Sequence, residues 1–133
     1  QNKYPSDSMA LPSTKEERAK EDEWCNYIYG EMDETALYVM RRHYDLTAIY
    51  GESPIVVKAC REYLVKHLKV VDKHLERNET VLEKGFGIAD IMLVSCLDWA
   101  KFYKFDLPKI TKDYHNRMLN RSNYLKARDI NYA

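Results

Sequence analysis

The stretch Phe86-Gly87-Ile88-Ala89-Asp90-Ile91 opens an apolar run that reaches Trp99 with only Ser95 and Asp98 interrupting it. A helix made from this run has no broad polar face to turn toward water, so other elements must wrap it. The run also carries its own start signal. With Gly87 as the N-cap, Asp90 falls at the third helical position, where its carboxylate reaches back to the Gly87 amide and meets the positive end of the helix dipole. Phe86 and Ile91 are then spaced as a hydrophobic staple across the helix entry. Loss of the Asp90 carboxylate is expected to cost about 0.5–2 kcal/mol on the scale of N-terminal caps. The fold class that follows is all-α, a helical bundle around one central buried helix.

The flanking sequence supplies the surrounding helices. Residues 1–12 carry Pro5 and Pro12 without sustained periodicity and read as a linker, so the helical domain is expected over residues 13–133. Ser13 and Thr14 each precede a glutamate by three residues, Glu16 and Glu17, in capping-box spacing. The long helix that follows has Trp24, Tyr27, Ile28, Thr35, Tyr38 and Val39 on one side, with a possible bend at Gly30 and an end near Arg42 to Leu46. Ser53-Pro54 starts a second helix, whose stripe Cys60, Leu64, Leu68, Val71, Leu75 keeps helical spacing. Asn78 and Thr80 mark the turn into the buried helix. Asp106-Leu107-Pro108 opens a further helix holding Ile110, Tyr114 and Met118, and Ser122 is expected to cap a last one.

Charge narrows the function classes. Lys and Arg number 21 against 21 Asp and Glu, for a net charge of +0, which lacks the basic footprint of a nucleic-acid binder. No apolar run approaches the roughly 20 residues of a membrane span, and no leader peptide is expected. Cys25, Cys60 and Cys96 are odd in number and widely spaced, as suits reduced thiols packed in a cytoplasmic protein. His67 and His74 lie near one face of the second helix without a third ligand in matching spacing, and His115 has no evident partner, so no metal site is expected. The chain begins at Gln1 rather than Met and is expected to be the downstream part of a longer protein.

Several segments resemble the C-terminal helical domain of cytosolic glutathione transferases, with the bacterial beta class most similar. Glu23-Trp24-Cys25-Asn26-Tyr27-Ile28, followed by Glu31-Met32, resembles that family's Glu-Trp-x-Asn-Tyr-Ile-x-x-Glu-Leu pattern. The start of the buried helix is similar to its Phe-Thr-Ile-Ala-Asp motif, with Gly87 where Ser or Thr is usual. Leu97-Asp98-Trp99-Ala100 resembles Leu-Arg-Trp-Ala, and Arg117-Met118 with Arg121-Ser122 resembles Arg-Met-x-x-Arg-Pro. Lys3-Tyr4-Pro5 is similar to the family's inter-domain junction. The resemblance covers nearly the whole chain. It implies a homodimer that takes glutathione as co-substrate, bound mainly by an upstream thioredoxin-like domain that also carries the sulfur-activating residue. The helical domain would then supply the wall for a small electrophilic substrate, the dimer surface and cross-subunit contacts to glutathione.

The resemblance also marks individual residues. Asn26 and Glu31 match positions that reach the glutathione bound by the neighbouring subunit, Glu31 as partner of the γ-glutamyl ammonium; without the family, an ion pair to a nearby lysine or arginine is the simpler reading of Glu31. Asp33 and Glu34 stand where the beta class places a histidine and a lysine facing the thiol. Two carboxylates there disfavour the thiolate, so activation would come from the upstream domain, or both acids are simply solvated. Tyr38 and Trp99, the latter with a counterpart near the second-substrate pocket, complete the predicted wall; as an indole in an apolar helix, Trp99 is equally a core residue. No catalytic residue is assigned to this chain. Two functions remain: the helical domain of a transferase, or a non-catalytic scaffold for protein interaction on the same fold.

Overall fold

The structure, a computed structural model, describes residues 9–131. The Lys3-Tyr4-Pro5 junction lies outside the described residues. Every regular element among those described is helical. The chain enters along the helical body: Ala10 N–H donates to the Phe86 carbonyl at 2.8 Å and Pro12 is buried.

Helix α1, Lys15–Tyr27, is capped by Thr14 and Glu17 in a complete capping box. Glu17 also pairs with Lys84 at 2.8 Å, and this hydrogen bond, with those from Ser13, holds its carboxyl down to about 2. The helix then continues without a break through a wide π-helical stretch, Ile28–Tyr38, into α2, Val39–Tyr44. Within it the hydroxyl of Thr35 donates to the Gly30 carbonyl five residues back, at 2.6 Å. This stretch departs from the expected stripe. Its buried residues are Ile28, Met32, Ala36 and Leu37, with Met40 following in α2, whereas Thr35 is exposed. A turn wider than 3.6 residues lets a four-residue repeat keep facing the core, and a stripe drawn at ordinary α spacing misses it.

The one-turn α3, Thr47–Tyr50, leads through Gly51 to α4, Pro54–Leu75. All five residues of its expected stripe are buried. Helix α5, Ile88–Phe102, buries Ala89, Asp90, Leu93, Val94, Leu97 and Ala100 against the π stretch, α1 and α6, Lys109–Leu119. Wrapping is incomplete, because Ile91 is 47% exposed and Ser95 and Phe102 share its openness. Phe86 and Ile91, spaced as a staple, both line one groove, with Arg121 stacked 3.8 Å from the Phe86 ring. Helix α5 ends in a Schellman motif: Phe105 N–H bonds the Ala100 carbonyl and Lys104 N–H that of Lys101, with Lys104 at φ 61. Helix α6 is capped from outside, by Asp72 of α4 accepting from Thr111 N–H at 2.7 Å and from its hydroxyl at 2.9 Å. The last helix, α7, Ser122–Asn131, takes Ser122 as its first residue rather than its cap.

Asp90 does more than cap α5. One carboxylate oxygen accepts from Gly87 N–H at 2.9 Å; the other accepts from Val81 N–H at 2.9 Å and the Tyr114 hydroxyl at 2.7 Å. The residue is fully buried, so deleting the carboxylate leaves three donors stranded in the core. Asp90→Ala is therefore expected to destabilise the fold by about 3 kcal/mol or more, above the range for a simple cap, as read from the denaturant midpoint. Beside it, Glu21 is only 4% exposed and its Oε1 has no hydrogen-bond partner. A Cβ at Gly87 would stand 3.4 Å from that oxygen. Serine at 87 adds a hydroxyl able to donate to Glu21 and to accept from the first turn of α5. Gly87→Ser should raise stability by about 1 kcal/mol, and an unchanged or lowered midpoint would refute this role.

Candidate functional site

Two pairs of residues, each four apart, face one another across the packed helices. Tyr27 closes α1 and Glu31 follows in the π stretch, while Tyr63 and His67 lie on α4. The Tyr63 hydroxyl donates to Glu31 Oε2 in a short hydrogen bond. The Tyr27 hydroxyl and His67 Nδ1 are 2.7 Å apart, and His67 Nε2 lies 3.6 Å from Glu31 Oε2. Burial, then the Glu31 charge, pushes the Tyr27 phenol up to about 12; the Glu31 hydrogen bond chiefly raises Tyr63. Both phenols thus stay protonated near neutral pH. Burial lowers the His67 imidazole against the opposing pull of Glu31, favouring the neutral ring. The Glu31 side chain remains 40% exposed. What the cluster presents is a carboxylate held on one oxygen and open to solvent, fit to receive a cation.

The partners of Glu31 are therefore a tyrosine and a histidine, not a lysine or arginine. Asn26 is exposed, and its amide donates to the Asp22 carbonyl at 2.8 Å, along its own helix. Asp33 and Glu34 diverge. Asp33 is half-buried, with a carboxyl raised by burial and by Glu34, and its charge helps push the buried Cys96 thiol of α5 up to about 12, after burial itself. Glu34 is exposed on the side of Arg42, whose guanidinium sits 4.6 Å from the Tyr38 ring and 5.0 Å from that of Tyr50. Trp99 is partly buried, 6.3 Å from the Tyr103 ring, with Arg41 at 5.8 Å. Asp33 thus lies on the side of α5, the helix that carries Trp99, while Glu34 and Tyr38 gather around Arg42.

Two features escaped the sequence reading. His115, expected to lack partners, is buried with Nε2 2.7 Å from Asp98 Oδ1, and Tyr124 donates to the other Asp98 oxygen at 2.9 Å. Asp98 is thereby paired, as an acid inside an apolar run must be. The same Asp98 lines a groove of about 710 Å³ between α5 and α7, with Phe86, Ile91, Val94, Met118 and Tyr124. None of the four predicted wall residues lines this groove. Its only sequence signal is the apolarity of 88–94, broken only by the capping Asp90 and more than one buried face needs. The thiols of Cys25, Cys60 and Cys96 are all raised, burial first, so none is poised as a nucleophile. Among the described residues, no three His, Cys, Asp or Glu side chains are grouped to hold a metal ion, and no helix is long and apolar enough to cross a membrane.

Comparison with known proteins agrees with this architecture. No curated protein matches the sequence significantly. A glutathione S-transferase domain-containing protein of Marinobacter aquaeolei VT8 superimposes with a TM-score of 0.72 at 21% identity, over 91% of this chain and 60% of its own. The glutathione transferase URE2P8 of Phanerochaete chrysosporium, solved with oxidized glutathione, gives 0.75 at 21% identity, over 92% and 56%. The theta class glutathione S-transferase of Xanthomonas axonopodis pv. citri, in apo form, gives 0.68 at 19%, over 86% and 62%. The chain thus spans about three fifths of the length of these structures. At such identities the likeness establishes the fold. Family membership comes from the sequence itself: residues 29–122 match the model of the glutathione S-transferase C-terminal domain, and the chain belongs to that family.

Proposed function

We propose that this chain is the helical half of a homodimeric, cytoplasmic glutathione transferase of the beta or a related bacterial class, which transfers the glutathione thiol to a small electrophile. An upstream thioredoxin-like domain would bind most of the tripeptide and activate its sulfur. The open face of α5 around Ile91 offers that domain an apolar surface, beside a groove that Met9 also lines. In this reading Glu31 of one subunit receives the γ-glutamyl ammonium of glutathione bound by the other, with Asn26 nearby on the same helix. Asp33, Glu34, Tyr38 and Trp99 form the wall for the second substrate.

The observation that carries the proposal is the setting of the Glu31 carboxylate, anchored by Tyr63 and still 40% exposed within a domain of this family. Asp33 and Glu34 oppose rather than assist thiol ionisation, which assigns activation to the upstream domain. The test is calorimetric titration of the natural full-length protein with S-methylglutathione, which keeps the ammonium and lacks the thiol. Glu31→Gln removes a charge-assisted hydrogen bond and should weaken binding about tenfold or more. Equal affinities for wild type and variant would remove Glu31 from the site and favour a non-catalytic scaffold.

A further inference from the structure

We propose that Tyr63 and His67 are positioning residues that hold Glu31 with one carboxylate oxygen turned outward as the acceptor for a ligand's primary ammonium. The inference rests on the reading of Glu31 given above and adds what makes that carboxylate competent. A glutamate on a helix surface samples many rotamers, and a ligand that pairs with it must bear the cost of stopping that motion. Here the motion is already restricted. Tyr63 donates to Oε2, and the raised pKa of its phenol keeps the proton on the donor. The His67 ring is buried, centred 4.4 Å from the Tyr63 ring and 5.5 Å from that of Tyr27, so it cannot swing away.

The position of the imidazole proton follows from its neighbours. His67 Nε2 is buried without a hydrogen-bond partner, 3.6 Å from Glu31 Oε2. A bare nitrogen lone pair facing a carboxylate at that distance is repelled, whereas an N–H is attracted. The proton therefore belongs on Nε2, and Nδ1 accepts from the Tyr27 hydroxyl. The separation exceeds hydrogen-bond range, so His67 steers Oε2 inward by its field without neutralising the carboxylate. Tyr63 and His67 both act on Oε2, which leaves Oε1 as the oxygen free to receive a ligand.

The experiment compares S-methylglutathione with its analogue lacking the γ-glutamyl amine, binding to the natural full-length protein. Tyr63→Phe keeps the ring against His67 and removes only the hydroxyl. It should weaken S-methylglutathione about three- to tenfold and leave the deamino analogue unchanged, a selectivity that a merely structural role would not produce. His67→Phe should give the same amine-selective loss, and it decides the matter if Tyr63→Phe does not fold. If Glu31→Gln abolishes discrimination between the two ligands while Tyr63→Phe and His67→Phe preserve it, the positioning role is overturned and the reading of Glu31 stands. Weakening of both ligands alike overturns it too. If Glu31→Gln changes neither affinity, the assignment of Glu31 itself falls, and the positioning role with it.

Discussion

A single buried carboxylate ties this domain together. Asp90 joins the start of α5, the loop at Val81 and the hydroxyl of Tyr114 on α6. The Gly87 bond is local to the start of α5, but the other two donors come from nine and twenty-four residues away, so the carboxylate is fully satisfied only when all three are docked. The cost of burying a carboxylate at the centre of the core is offset fully only by the complete arrangement, which makes it a test of correct assembly. Burial reinforces the network from the other side: it drives the Tyr114 phenol far upward, so the hydroxyl remains a donor at any ordinary pH.

Around that anchor the helices use one another's side chains as caps. Asp72 of α4 finishes the start of α6, Lys84 of the loop reaches the capping box of α1, and Arg61 of α4 donates to the Tyr103 carbonyl at the end of α5 through both terminal nitrogens, at 3.1 and 2.8 Å. Helix ends carry unpaired backbone groups, and satisfying them from neighbouring helices couples the formation of one element to the placement of the next. Order in this bundle is thus cooperative at its ends as well as in its apolar interior.

Where the helical period is ordinary, the sequence was readable residue by residue. The stripe of α4 and the start of α5 follow from spacing and cap chemistry alone, and both stand as expected. The π stretch broke the reading, because nothing in Ile28–Tyr38 announces a wider turn, and the buried set shifted to Met32, Ala36 and Leu37. For the site, the family pattern pointed to Glu31 but not to its supports. Tyr63 and His67 lie more than thirty residues downstream, and their pairing with Glu31 is a property of how two helices pack. His115 escaped for the same reason, since its partner Asp98 comes from another helix, seventeen residues upstream. One departure was visible and its meaning was not: Gly87 in place of a hydroxyl becomes informative only beside the orphaned oxygen of Glu21.

The widened turns bear on how the domain tolerates change in chain length. Within four positions, Glu31 turns toward α4, Asp33 toward α5 and Glu34 toward Arg42. A widened turn holds more than 3.6 residues, so removing one residue here would relax the winding toward the ordinary α period and rotate α2 less than the roughly 100° that the same deletion causes in a regular α-helix. The core side would survive in part, because apolar residues are dense along it, but the acids within the stretch would be re-aimed. A point substitution in this segment weakens one contact, whereas a one-residue deletion would redistribute which faces of the domain carry negative charge.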